Sequence, residues 1–362
     1  MKEVKISGGK LQGFKRVTTR EGKFIMMGVG ARDTLRKMLA EVTGKKKEKI
    51  TFKDMAICKK SIMKILSPFY SAVSTDPIYG YPSSIKYIPK DTGLILSVEE
   101  TGYQAVGETK RERKSSFISG WNVNKVKRAG ADAAKLIIYY RKEVKEEVRE
   151  HQKKMARKIG EECERYDILY ILEIMSYPLL EDEIRDRLNY AKRLPEIVTD
   201  YVKEFSKPEY SVDILKIDFP ADLKYCTEFA KGEFDGKKRR AIYSLREIEN
   251  LCKTIRDISS VPWIILSGGV GIKEFLIKVK LASDNGASGF LGGRPLWQEA
   301  IKFYPDAGKM EEWLITGGVD NFQKLLRASE NATPWFSHKK FESFASIELK
   351  DGGENWHKNY QN

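Results

Sequence analysis

Two lysines and a glutamate lie where such residues are costly. Lys216 falls within VDILKIDFP, Lys135 within ADAAKLIIYY and Glu173 within ILYILEIMSY, each an otherwise apolar run. A charged group in such a setting needs a partner or sheds its charge. A buried lysine that has lost its proton is a nucleophile for a carbonyl carbon. The plainer reading of Lys216 is an ion pair with Asp218, because strand alternation puts Ile214, Lys216 and Asp218 on one face. If Lys135 converges on the same place, the two ammonium groups repel and the pKa of one falls, as Schiff-base chemistry requires. The plainer reading there is two unrelated lysines, each with its own carboxylate. Glu173 lies between them in the chain and serves either as a proton carrier or as a counter-ion. Two glycine turns, Ser267-Gly268-Gly269 and Gly292-Gly293-Arg294, offer backbone N–H groups to an anion, and Arg294 adds a charge-assisted donor. Read plainly, they are tight turns.

These residues must be positioned by something, and the pattern of apolar runs says what. Eight short runs alternate with longer charged stretches: 24–29, 70–75, 93–98, 133–140, 168–174, 212–217, 262–267 and 287–292. Runs of this length between helical patterns indicate buried parallel strands. The stretch EVKEEVREHQKKMARKIGEECERY has helical apolar spacing and intrahelical charge pairs, and EFLIKVKLASDNGA reads as a second helix ending at glycine. Eight strand–helix units predict an α/β fold, a single (β/α)₈ TIM barrel over residues 1–335, in preference to a doubly wound sheet. Residues 336–362 read as a polar C-terminal extension. The lysines then sit on the fourth and sixth strands, which supply side chains to the same barrel layers, and both glycine turns follow the last two strands at the C-terminal face, where barrel active sites form.

Composition narrows the function. Three histidines, His151, His338 and His357, are scattered, and four cysteines, Cys58, Cys163, Cys226 and Cys252, have no zinc spacing. No metal site and no cofactor are expected. The formal charge is +14, but 51 acidic residues accompany 65 basic ones. The basic runs are short and lack interleaved aromatics, so a solvated surface is expected and nucleic acid is not. No apolar run is long enough to span a membrane, and no signal-peptide core is seen at the N-terminus, which predicts a cytoplasmic protein without membrane partners.

The stretches DPIYGYPSS, ETGY, GADAAKLIIYY, LEIMSY, DILKIDFP, LSGGV and GGRPLW together resemble the tagatose-bisphosphate aldolase family, bacterial class I aldolases that include sulfofructose-phosphate aldolases. The resemblance runs from about Leu11 to Trp335. It implies a barrel in which Lys216 forms the Schiff base, Glu173 transfers protons and Lys135 lies in the active site. It further implies that Ser267, Gly268, Gly269, Gly293 and Arg294 bind a substrate phosphate, that no metal is required, and that the chain assembles as a homo-oligomer. The family's first strand ends in an Asp-Gln-Arg run that meets the substrate. Here the stretch is GVGARDTL: Arg32 is retained as a substrate-binding residue, while Gly30 and Ala31 replace the acid and the amide. Asp33 is a nearby candidate substitute. The expected activity is metal-independent cleavage or formation of a ketose phosphate from dihydroxyacetone phosphate and an aldehyde. The competing expectation is a sugar-phosphate-binding barrel with a regulatory role and little catalysis.

Overall fold

The computed structural model describes residues 3–360. Eight parallel strands form a closed barrel: β1 (Phe24–Gly28), β2 (Ala72–Thr75), β3 (Gly93–Ser97), β4 (Ala133–Tyr139), β5 (Leu169–Met175), β6 (Ile214–Ile217), β7 (Trp263–Leu266) and β8 (Gly289–Gly292). Each strand pairs with its chain neighbours, and β8 closes onto β1. Seven of the eight fall within the apolar runs picked out above, and β5 runs one residue past its own, to Met175. The (β/α)₈ expectation therefore holds, and the doubly wound alternative is excluded by closure.

Alternation explains both the burial and the placement of the polar groups. On β5, Tyr170, Leu172 and Ile174 join the outer core against the helices, while Leu169 and Ile171 join the inner one. On β6, Leu215 and Ile217 face outward and Ile214 faces inward. A period of two then forces Glu173 and Lys216 inward, one step nearer the C-terminal face than the apolar inner layer. That layer, which includes Met26, Ala72, Ile95, Ala133, Ile171, Ile214 and Ile264, is closed to water and forms the floor on which the polar residues stand.

The surrounding helices follow from their patterns. Glu146–Arg165 carries Val148, Met155, Ala156, Ile159 and Cys163 on its buried face. Leu245–Ile258 starts with a capping box between Ser244 and Glu247, which satisfies orphan N–H groups at its first turn. Helix Ile272–Asp284 follows β7.

Two small sheets lie outside the barrel. Strand Val4–Ile6 pairs in parallel with Ile347–Leu349. The segment after residue 335, read as polar, carries Phe341, which is buried with Trp335 and Phe14; the Phe14 and Trp335 rings stack at 4.2 Å. This aromatic cluster packs with the inner layer, at the end of the barrel away from the polar residues. The second sheet is a hairpin, Gln104–Val106 against Glu112–Lys114, in the β3–β4 connection. Its sequence, QAVGETKRERK, is charged in its second half and lacks an apolar alternation, so nothing in the sequence marks it as a hairpin. Among the described residues, no helix is long and apolar enough to cross a membrane.

Candidate active site

The strand register brings the three buried ionisable residues together. Glu173 is directly opposite Lys216 across β5 and β6. On the other side it is opposite Ile137, so Lys135, two residues earlier on β4, points inward beside it. One oxygen, Glu173 Oε2, lies 2.9 Å from Lys216 Nζ and 3.2 Å from Lys135 Nζ. Lys216 is therefore paired with Glu173 and not with Asp218. Asp218 instead accepts hydrogen bonds from the backbone N–H and hydroxyl of Ser176, at 2.7 and 2.6 Å.

A fourth member, Glu99, was not anticipated. It follows the third apolar run directly, in GLILSVEE, and a search for charged residues at strand ends identifies it. Lys135 Nζ donates to Glu99 Oε1 at 2.7 Å, and Glu99 Oε2 accepts from the Ile137 N–H at 3.2 Å. The order Glu99, Lys135, Glu173, Lys216 is thus a row of alternating charges, all buried.

The row treats its two amines unequally. Burial pulls Lys135 down, but two carboxylates, Glu99 and Glu173, outweigh it and hold the ammonium above its ordinary pKa. Burial also pulls Lys216 down; Glu173 opposes this, the Lys135 ammonium reinforces it, and the net shift is downward. Burial raises Glu173, yet Lys216 and Lys135 more than offset it, so its carboxyl lies below the ordinary range. Of the two ammonium groups, that of Lys216 is the one whose pKa is lowered, and the Glu173 carboxylate lies beside it. Two lysines on one carboxylate thus deliver what repulsion alone was expected to deliver.

Above the row opens a cavity of about 480 Å³, lined by Lys135, Glu173 and Lys216 and by residues from the loops after β1, β3, β7 and β8. Ser267, Gly268, Gly269, Gly293 and Arg294 all line it. Gly268 and Gly269 have φ of +62° and +78°, the left-handed region where a side chain is strained. Gly269 also lies under Arg294: a Cβ on it would sit 2.0 Å from an Arg294 guanidinium nitrogen. The turn and the arginine are thus in contact, and burial and the nearby Arg185 both lower the Arg294 pKa. Neither arginine is paired with a carboxylate among the described residues. Arg185 was not anticipated; its loop, EDEIRDR, gives no signal in the sequence.

The other expected residues come from the loop after β1, the strand next to β8 in the ring. Arg32 lines the cavity, buried, with its guanidinium donating to Glu100 Oε1 at 3.0 Å and to the Glu99 carbonyl at 2.6 Å. Asp33 also lines the cavity but is held by Lys47 and, at 3.3 Å, by Lys37. At Gly30, a Cβ would meet nothing within 4 Å, so the position that carries an acid in the resembled family is open space here. The four cysteines are free and buried. Among the described residues, no group of three or more His, Cys, Asp or Glu side chains is placed to hold a metal ion.

Fold and site together define an enzyme-type (β/α)₈ barrel whose C-terminal mouth combines a paired amine and carboxylate with glycine turns. The chain belongs to the DeoC/LacD aldolase family, whose model matches residues 40–299, and it is accordingly a carbon–carbon lyase. The tagatose 1,6-diphosphate aldolase of Listeria monocytogenes serotype 4a (strain HCC23) is 32% identical over 353 residues, covering 96% of this chain and 98% of the relative. That of Enterococcus faecalis (strain ATCC 700802 / V583), the aldolase 2, is 31% identical over 341 residues, covering 91% and 96%. Among solved structures, fructose-bisphosphate aldolase from Plasmodium falciparum matches with a TM-score of 0.64 at 12% identity, covering 92% of this chain and 98% of that one. This last similarity is one of fold.

Proposed function

We propose that the chain is a metal-independent, Schiff-base aldolase that cleaves a ketose phosphate, or forms it from dihydroxyacetone phosphate and an aldehyde. The observation that carries this reading is the single carboxylate oxygen shared by Lys216 and Lys135 at the floor of the cavity. Glu173 takes the Lys216 proton, and the free amine attacks the substrate ketone. Return of that proton to the carbinolamine oxygen lets water leave, and an iminium forms. Cleavage of the carbon–carbon bond sends its electron pair into the iminium nitrogen, while Glu173 takes the proton from the hydroxyl of the departing aldehyde fragment. Protonation of the resulting enamine and hydrolysis release dihydroxyacetone phosphate and restore Lys216. Lys135 stays protonated throughout and contacts substrate oxygen. The names of the relatives suggest a ketose 1,6-bisphosphate as substrate. The reading includes a cytoplasmic location.

The substrate phosphate lies on the Ser267–Gly269 turn and Gly293, with Arg294 as its cation. Alanine at Gly269 strains the turn and pushes Arg294 aside. Gly269→Ala is expected to raise KM for a ketose phosphate by about 10-fold or more, the loss of a charge-assisted hydrogen bond, with near-UV circular dichroism unchanged. An unaltered KM contradicts the assignment.

The direct test is a coupled assay for dihydroxyacetone phosphate over a panel of ketose phosphates, before and after dialysis against EDTA. Turnover unaffected by EDTA is expected. Tight binding with no cleavage of any member favours the regulatory reading, which the open space at Gly30 brings into view. Loss of activity with EDTA contradicts metal independence.

A further inference from the structure

The pair at the centre of the site does not fix itself. Glu173 Oε2 serves Lys216 at 2.9 Å and Lys135 at 3.2 Å, so a small drift of β6 leaves the carboxylate to Lys135 alone. Lys216 is the third residue of a four-residue strand. The backbone ladder pairs Glu173 with Lys216 and Ile174 with Ile217, and goes no further. Beyond Asp218 the chain runs to Leu245 with no helix but a short 3₁₀ turn, Leu223–Tyr225. Strand ends without ladder bonds fray, and here such ends carry the reacting groups.

Side chains take over where the ladder stops. Ser176 directly follows β5, and Asp218 directly follows β6. Asp218 Oδ2 accepts from the Ser176 N–H at 2.7 Å and from its hydroxyl at 2.6 Å. The helix Leu188–Phe205 grips both ends: Tyr190 donates to Ser176 Oγ at 2.8 Å, and Tyr201 Oη accepts from the Asp218 N–H at 3.0 Å. The two tyrosines are about three helical turns apart, so one face of one helix reaches both strands. Arg185 donates to the Ser176 carbonyl at 2.7 Å. Every polar atom of Ser176 is thus in use. Packing alone does not hold these ends, because a cavity of about 50 Å³ lies beside them, lined in part by Ser176, Arg185, Asp218 and Ser267.

We infer that Asp218 is a positioning residue: through Ser176 it fixes the ends of β5 and β6, and so keeps Glu173 Oε2 within hydrogen-bond distance of Lys216 Nζ. Neither Ser176 nor Asp218 lines the large cavity above the lysines, so they act through the strands and not on substrate. The inference deepens the aldolase reading and rests on it for what the pair does, but the position of the pair is readable without turnover.

Pulse labelling with acetic anhydride, with Lys216 located by mass spectrometry, gives the pH dependence of this amine directly. Wild type, Asp218→Ala, Asp218→Asn and Ser176→Ala are compared, each checked for folding by thermal melting. In Asp218→Ala the half-point of Lys216 labelling is expected about 0.5 to 1 pH unit below that of wild type, a part of what a close opposite charge supplies. The pull of Glu173 falls steeply with distance, while burial and the Lys135 ammonium, which both lower the amine, remain. Turnover of ketose phosphate falls about 10- to 100-fold, the scale of a 1 Å misplacement, and affinity for an unreactive sugar phosphate stays within about three-fold. Ser176→Ala loses one of the two bonds to Asp218 and shows a smaller shift in the same direction, which keeps the test open if alanine at 218 prevents folding. Asp218→Asn keeps an oxygen for both Ser176 donors and recovers most of each effect. A half-point unchanged in the alanine variants, or moved up toward the ordinary lysine range as local unfolding moves it, overturns the inference. So does an Asp218→Asn variant as impaired as Asp218→Ala, which makes charge and not position the cause. Failure of the aldolase reading shows instead as a wild type that turns over no ketose phosphate, and leaves the labelling result standing.

Discussion

Replacing Lys216 with methionine is expected to lower kcat for ketose phosphate cleavage by about 10⁴-fold or more, the scale on which enzymes lose activity when a covalent nucleophile is removed. Methionine keeps most of the side-chain volume and cannot form an iminium. Glu173 retains Lys135 at 3.2 Å, so no uncompensated carboxylate is left in the floor and the fold persists. Affinity for an unreactive sugar bisphosphate is expected to stay within a few-fold, because the glycine turns and arginines are untouched. Lys216→Arg is expected to fail equally, since a guanidinium keeps its charge at every accessible pH. Rapid-quench measurement of product separates these outcomes. Lys216→Met at more than one-hundredth of the wild-type rate contradicts the role assigned to this amine. The same substitution at Lys135 is not equivalent: two carboxylates hold the Lys135 ammonium above its ordinary pKa, and in the proposed mechanism its charge keeps the neighbouring proton labile.

The second large effect is expected at Glu173. Glu173→Gln is nearly isosteric and retains an oxygen for Lys135, but it cannot carry a proton between amine, carbinolamine and leaving hydroxyl. A fall in kcat of about 10²- to 10⁴-fold is expected, the usual range for general acid–base catalysis. The pH dependence moves in a direction the geometry fixes. Burial and Lys135 lower the Lys216 pKa, and Glu173 opposes them. Removing the carboxylate's charge takes away that opposition, so the pKa falls further. The reactive form is the neutral amine, present above its pKa, so the residual activity of Glu173→Gln extends to lower pH than that of wild type. Attack by the amine does not itself require the carboxylate, so a reducible adduct still accumulates, slowly. A variant with kcat within 10-fold of wild type, or an acid limb displaced upward, is inconsistent with Glu173 as the proton carrier.

The scaffold was open to reading because barrel strands advertise themselves. Each is a short apolar run bounded by polar helix sequence, and the eight runs contain seven of the strands whole and all but the last residue of β5. Lys216, Lys135 and Glu173 stood out for the same reason: a charge inside an apolar run is conspicuous. Their mutual arrangement did not. Pairing across β5 and β6 depends on register, and the local choice of Asp218 as partner for Lys216 overlooked that Asp218 falls just past the end of β6, where it accepts from Ser176, whereas Glu173 stands opposite Lys216. Glu99 was legible by the same rule and was passed over because it lies just beyond its run. Arg113 and Arg185, which also line the cavity, were not legible at all. Both sit in charged connections, where nothing in composition distinguishes an arginine aimed into a cavity from one in solvent. The aromatic residues after 335 were hidden by the lysines and glutamates around them, although Phe341 and Trp335 share one cluster with Phe14 from the chain's other end.

The claim on which the rest depends is that Lys216 Nζ bonds covalently to the substrate carbonyl. Borohydride reduction with dihydroxyacetone phosphate, followed by proteolysis and mass spectrometry, measures this directly. The expected result is one reduced adduct per chain, on the peptide carrying Lys216, absent from Lys216→Met and undiminished by EDTA. An adduct on Lys135, or none at all in a protein that still turns over ketose phosphate, contradicts the account.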